Sequence, residues 1–365
     1  MRAWYTIENE SAVDSPALLV YPDRIKENIS LAKDLAQEVS RLRPHVKTHK
    51  MREVTEMLLA AGISKFKCAT IAEAEMLALA GAKDVLLAYQ PTQPKANRLI
   101  SLIHAFPHVH FSCLVDNGAT GRHLSAGFEG QQVSVYIDLN VGMNRTGIRP
   151  SEALSLLQQL QAFGNIAVIG LHAYDGHIHD LDLERRKQQA DDVLAQVLET
   201  KERMEAVAGR KIKLVMGGTP TFHLYAQQEE VETSPGTFVF WDEGYRVTLP
   251  DLPFALAAVL LVRVISKIDA HTLCLDVGHK AVAAENPLPR ITFLNMPAAT
   301  PLSQSEEHLV VRVPDTAAHE IGEVWYGVPT HICPTVALYE AVQVVENHRY
   351  VGRWPVIARN RILTI

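Results

Sequence analysis

Residues 133–174 read VSVYIDLNVGMNRTGIRPSEALSLLQQLQAFGNIAVIGLHAY. The run Val133–Asn140 is rich in Val, Ile and Leu without clean polar alternation, as suits a strand buried on both faces. In Ser151–Phe163, Leu154, Leu157 and Leu160 recur at helical spacing, with Gln158, Gln159 and Gln161 between them. Ser151 and Glu152 give that helix a polar start. Ile166–Tyr174 is a second apolar run. Strand, loop, helix and strand in this order form the crossover unit of parallel sheets.

The same texture extends outward in both directions. Further strand candidates are Ala17–Tyr21, Pro44–Lys47, Lys65–Thr70, Asp84–Tyr89, His110–Asp116, Lys211–Gly218 and Thr237–Trp241. Helical stretches separate them, one capped by Thr70 with Glu73 three residues later. The repeat predicts an α/β fold with a (β/α)₈ TIM-type barrel over residues 12–245, a doubly wound sheet being the alternative. From residue 246 the pattern changes. Val259–Ile265, Thr272–Val277, His308–Val313, Glu323–Tyr326 and Tyr350–Ala358 read as strands, and only Val336–Val345 reads as a helix. Residues 246–365 are therefore predicted to be a mostly β domain, joined by residues 1–11.

Composition narrows the function. The 365 residues carry 35 basic and 41 acidic side chains, a net charge of −6, and no basic run, which argues against a nucleic-acid partner. The longest apolar run, Phe254–Val262, is too short to span a bilayer. The N-terminus carries Glu8 and Glu10 and lacks a signal pattern, so a cytoplasmic protein with no membrane partner is expected. The cysteines Cys68, Cys113, Cys274 and Cys333 are scattered and do not read as a disulfide framework.

Six segments carry chemistry. Lys47, in Arg43–Lys50, stands at the C-terminal end of an early strand, where barrel enzymes build their sites. A desolvated lysine there is an amine nucleophile for an aldehyde cofactor; the plain alternative is a basic exposed loop. Gly217, Gly218 and Thr219 follow one late strand, and Ser234-Pro235-Gly236-Thr237 lies one unit later. The loops after the seventh and eighth barrel strands commonly make one phosphate site. Arg145 lies between Gly142 and Gly147 after Asn140, placed to orient a phenolate or carboxylate. Tyr174 ends a strand, and His177 and His179 follow it as candidate bases or metal ligands. His331 and Cys333 pair imidazole with thiolate, a combination that suits zinc and leaves coordination positions open.

Together and in this order, these segments resemble the D-threonine aldolase and D-serine dehydratase group of pyridoxal 5'-phosphate (PLP) enzymes, built like the alanine racemases. The strongest marks are Arg43–Lys50, Gly142–Gly147, Gly217–Thr219, Ser234–Gly236 and His331–Thr335; Asp276–Ala281 adds another. The resemblance implies a PLP-binding barrel, a β domain and a homodimer. It implies Lys47 as the Schiff-base lysine, with Lys50 as the fallback. Arg145 would lie near the phenolic oxygen, Tyr174 near the pyridine nitrogen, and Gly217, Gly218, Thr219, Gly236 and Thr237 around the phosphate. His331 and Cys333 would hold a divalent metal, zinc or manganese, and His177 or His179 would be the base. The implied reaction is cleavage of a D-β-hydroxy amino acid to glycine and an aldehyde. Dehydration of D-serine or 3-hydroxyaspartate is the alternative, and racemisation a second one. Cysteine as second metal ligand is the dehydratase-like choice; Pro334-Thr335-Val336 and the histidine-rich loop are aldolase-like.

Overall fold

A computed structural model describes residues 2–128 and 130–365. Its strands, in chain order, are β1 (Ala17–Val20), β2 (Lys65–Cys68), β3 (Asp84–Leu87), β4 (His110–Val115), β5 (Val133–Leu139), β6 (Ile166–Ala173), β7 (Lys213–Met216) and β8 (Val231–Thr233). They continue with β9 (Ala258–Lys267), β10 (Thr272–Leu275), β11 (Ile291–Phe293), β12 (Thr300–Gln304), β13 (Leu309–Arg312), β14 (Val324–Pro329), β15 (Ala341–Glu346) and β16 (Arg349–Pro355). The chain divides into two compact units. One comprises residues 32–47, 52–236 and 360–365, the other residues 1–31, 48–51 and 237–359.

The first unit is the barrel. Strands β2 to β8 form a parallel sheet in sequence order. The segment 42–46 closes it as an eighth stave, bridging Leu42 to Thr233 and His45 to Lys67. Arg43 N–H donates to Thr233 O at 2.8 Å and His45 N–H to Pro235 O at 2.9 Å on one side. On the other, Val46 N–H donates to Lys67 O and Lys67 N–H to Pro44 O, both at 2.9 Å. Pro44 lacks an N–H and so sits where the stave begins. Helices follow the staves, the longest being Leu183–Ala208, capped by Asp182 and stopped by left-handed Gly209. No helix of the described residues is long and apolar enough to cross a membrane.

The barrel's two ends differ. At its N-terminal end, Arg43 is fully buried. Its Nε donates to Glu232 Oε2 at 2.8 Å and its Nη1 to Asp84 Oδ1 at 2.7 Å. Lys65 pairs with Glu232, and Lys213 stands 3.7 Å from Asp84. Burial would raise the Asp84 carboxyl, but hydrogen bonds from His110 and Arg43 hold it well below the usual range. Above this cluster Leu86, Leu114, Tyr136 and Val215 fill the interior. Gly170 leaves room for the Tyr136 ring, since a Cβ there would lie 2.6 Å from it.

The second unit is a nine-stranded sheet, ordered β12-β13-β10-β9-β1-β15-β16, with β14 pairing β9 and β11. Ile7, Val13, Leu19, Tyr21, Val259, Leu261, Tyr326 and Val345 form its core.

Three expectations change. The run Ala17–Tyr21 is not a barrel strand: β1 lies antiparallel to β9 and parallel to β15. Residues up to 31, rather than 11, and from 237, rather than 246, therefore group with the β unit. Thr237–Val239 is a 3₁₀ turn, and the eighth barrel strand is the three-residue β8 before it. Within Val336–Val345 the helix Ile332–Val336 ends, and β-branched Val342, Val344 and Val345 continue as β15.

Candidate active site

Side chains alternate along a strand, so every second residue of a stave enters the barrel. His45 and Lys47 do so on the closing stave, Lys67 on β2, Asp138 on β5, and His172 and Tyr174 at the end of β6. With Ala88, Leu114, Leu139, Met143, Arg145 and Thr146 they line a cavity. It lies at the C-terminal ends of the strands, where barrels of this type carry their chemistry.

Asp138 and His172 organise its floor. His172 Nδ1 lies 2.7 Å from Asp138 Oδ1, and Gln90 Nε2 donates to Asp138 Oδ2 at 2.9 Å. Burial pushes the Asp138 carboxyl up, but the bonds from His172, Gln90 and Thr146 outweigh it and keep the group anionic. Burial holds the His172 imidazole below its ordinary value against the pull of Asp138. A neutral ring donating through Nδ1 leaves its Nε2 a lone-pair acceptor. That buried Nε2 has no hydrogen-bond partner among the described residues. Lys67 is 2% exposed. Burial, then the neighbouring charge of Lys47, lower its amine to about 7, against the pull of Asp175 and Asp138.

The Tyr174 ring has Arg145 Cζ 5.2 Å from its centroid and Lys67 Nζ 5.5 Å away. It packs over Gly176 and Gly218, where added Cβ atoms would lie 2.4 Å and 3.1 Å from the ring. Arg145 is carried by a loop that folds back on β5: Asn140 N–H donates to Ile148 O and Ile148 N–H to Asp138 O. Gly147 makes the return possible, with a φ of +93° and backbone 2.6 Å from where its Cβ would be. Gly142 faces the His177 ring, 2.4 Å from where its Cβ would be.

The two glycine-bearing loops are cross-linked. Gly236 N–H donates to Thr219 Oγ1 at 3.2 Å, and Ser234 N–H to Gly217 O at 3.3 Å. Gly217 has a φ of +77°. Ser234 Oγ is buried without a partner among the described residues. A buried orphan hydroxyl in a glycine cradle fits a phosphate.

Sequence reading thus brings Lys47, Arg145 and Tyr174 into one cavity, and Gly217, Gly218, Thr219 and Gly236 into one cradle. His177 lies against the Arg145 loop and His179 is exposed; neither lines the cavity. Lys50 does not line it either, and its carbonyl accepts from Ala358 N–H in the β unit. Lys67, Asp138 and His172 escaped the sequence reading. Their signal was a charged or polar residue at an inward position near the end of an apolar strand.

His331 and Cys333 flank the start of the helix Ile332–Val336 in the β unit. Cys333 Sγ lies 3.1 Å from Thr48 Oγ1 and 3.6 Å from Thr237 Oγ1, so Thr237 stands beside this sulfur. The His331 Nδ1 hydrogen-bonds to Glu285. Burial lowers the His331 imidazole, but Cys333 and then Glu285 raise it to about 9 overall. Asp242 fixes the loop: its Oδ2 accepts from Ile332 N–H at 3.0 Å and its Oδ1 from Tyr245 N–H at 2.9 Å. One imidazole backed by a carboxylate and one sulfur fit a soft or borderline divalent metal. Among the described residues no group of three His, Cys, Asp or Glu gathers in a metal-holding arrangement.

Residues 20–243 match the sequence profile of the alanine racemase N-terminal domain, and residues 257–345 that of a putative serine dehydratase domain. A D-threonine aldolase from Arthrobacter sp. is 26% identical over 95% of this chain and 93% of its own. A 3-hydroxy-D-aspartate aldolase from Paracoccus denitrificans (strain Pd 1222) is 28% identical, covering 97% and 94%. The crystal structure of D-threonine aldolase from Filomicrobium marinum superimposes with a TM-score of 0.89 at 25% identity, covering both chains completely.

Proposed function

The chain belongs to the alanine racemase N-terminal domain family, and from that premise we propose that it is a lyase dependent on PLP and on zinc or manganese. Its reaction is the cleavage of D-β-hydroxy amino acids to glycine and an aldehyde, as in D-threonine aldolase. The observation that carries this reading is the meeting of Lys47, Arg145 and Tyr174 in one cavity. The aldolase names of two full-length relatives support it. The working form is a homodimer, as the family resemblance implies.

Lys47 would hold the cofactor's aldehyde, the cross-linked loops its phosphate, and Arg145 and Tyr174 its ring. Bound there, PLP supplies an electron sink for a bond at Cα. His331 and Cys333 would hold the metal, which supplies Lewis-acid polarisation of the β-hydroxyl. His177 or His179 would take the hydroxyl proton in Cα–Cβ cleavage, a role that requires one of them to reach the cavity from outside its lining. His177 is the better placed of the two, since it abuts the loop that carries Arg145.

Dehydration is the second reading, favoured by a cysteine, Cys333, at the candidate second metal-ligand position and by the serine dehydratase profile over residues 257–345. In it Lys47 would take the Cα proton, and the hydroxyl would depart with assistance from the metal held by His331 and Cys333. Racemisation needs no metal and leaves His331 and Cys333 without a use. Purified protein with PLP and zinc or manganese, given D-threonine, decides between them. Glycine plus acetaldehyde is the expected product pair. 2-Oxobutanoate plus ammonia would replace the aldolase reading with dehydration, and epimerised amino acid formed without metal would overturn both.

A further inference from the structure

Lys67 is a charged side chain in the cofactor cavity that the reaction above leaves unused. Its ammonium makes no hydrogen bond or ion pair with a described residue; the Tyr174 ring lies beside it, Lys47 and Arg43 repel it, and the carboxylates of Asp175 and Asp138 attract it from beyond ion-pair distance. A buried ammonium without an acceptor is costly. Burial and Lys47 accordingly depress it to about 7, and a bound anion would restore the charged form. The order of the staves indicates which anion. Around the barrel they run β7, β8, the 42–46 stave, β2, β3, β4, β5, β6. The phosphate cradle follows β7 and β8, Lys47 follows the next stave, and Lys67 stands on the one after that. Ala88 and Leu114 come next, then Asp138 on β5 with the loop that carries Arg145, and His172 and Tyr174 complete the circuit.

The cofactor's ring carries its groups in fixed cyclic order: phosphate arm, aldehyde, phenolic oxygen, methyl, ring nitrogen. Anchoring the first two on the cradle and on Lys47 turns the third toward β2. The methyl then falls toward apolar Ala88 and Leu114, and the nitrogen toward His172 and Tyr174. Each group meets a side chain of matching polarity. We propose that Lys67 is a cofactor-binding residue whose ammonium pairs with the phenolic oxygen of PLP, in addition to Arg145. The inference rests on the PLP reading given above. An ammonium there favours the phenolate and loosens the proton shared between the phenolic oxygen and the Lys47 nitrogen.

The test is a pH titration of the visible absorbance of the substrate-free holoenzyme, comparing wild type, Lys67→Met and Lys67→Arg. Losing the cation raises the titration midpoint in Lys67→Met by about one pH unit, the usual scale for one close opposite charge, and Lys67→Arg returns it to near the wild-type value. An unchanged midpoint in Lys67→Met overturns the proposal, as does a Lys67→Arg protein that titrates like Lys67→Met. If Lys67→Met binds PLP too weakly to titrate, the cofactor dissociation constant replaces the midpoint, and rescue by arginine decides in the same way. A wild-type protein that develops no visible band with PLP, and whose Lys47 is not trapped by borohydride, fails differently: the cofactor reading itself is then wrong.

Discussion

In the cofactor-free protein, Lys67→Met should stabilise the fold at neutral pH and lose that advantage as the pH rises. The amine titrates near 7 when folded, against an ordinary value of 10.5, because burial and Lys47 disfavour its charge. The unfolded chain therefore binds more protons between about pH 7 and 10.5, and the folded wild type gains stability as the pH climbs through that window. Below pH 7 both states are protonated, and the folded state bears the whole cost of the buried charge. Linkage gives this residue a gain of about 3 kcal/mol between pH 6.5 and 9.5. Methionine has a similar length and no charge, so groups common to both proteins cancel in the comparison. Urea unfolding of apoprotein at pH 6.5 and 9.5 measures it. The variant should be the more stable at pH 6.5, and its lead should shrink by about 3 kcal/mol at pH 9.5. A lead that is absent at pH 6.5, or equal at the two values, would refute the reasoning.

Three further outcomes follow from the geometry. Gly176→Ala puts a methyl 2.4–2.6 Å from the Tyr174 ring and hydroxyl; overpacking of this kind costs about 1–3 kcal/mol, and displacing the ring should weaken PLP binding about tenfold by equilibrium dialysis. Arg43→Met strips the buried guanidinium from Asp84 and Glu232, and urea unfolding should show a loss of about 3 kcal/mol or more. Glu285→Ala removes the carboxylate from His331 Nδ1. It should lower zinc affinity about 10- to 100-fold in competition with a chelator, leaving PLP affinity unchanged.

The barrel was legible because its strands are continuous apolar runs separated by helical periods. That signal does not say which sheet a strand joins. Ala17–Tyr21 looks like a barrel strand, and only pairing with β9, some 240 residues on, assigns it elsewhere. β8 escaped notice because it is three residues long with Glu232 at its centre. Within the site, Lys47, Arg145, Tyr174 and the glycine loops stood out because they end strands or punctuate loops. His172 was hidden two residues before Tyr174 in an apolar run. Lys65 and Lys67 read as an ordinary polar alternation. In the fold one goes to the ionic cluster and the other to the cavity, a difference of position along one strand that no local pattern encodes.

Arg43 has a consequence beyond holding charge. The stave from Leu42 to Val46 is tied to its neighbours by isolated bridges rather than long ladders, so it is the stave most open to sliding. Its arginine is clamped between Glu232 on β8 and Asp84 on β3, and Lys47 lies four residues further along the same inward face. The clamp works as an index pin. A slip of one residue would turn Lys47 out of the barrel, and a slip of two would shift it by about 6–7 Å along the axis. The height of the Lys47 amine at one end is thus set by a guanidinium at the other.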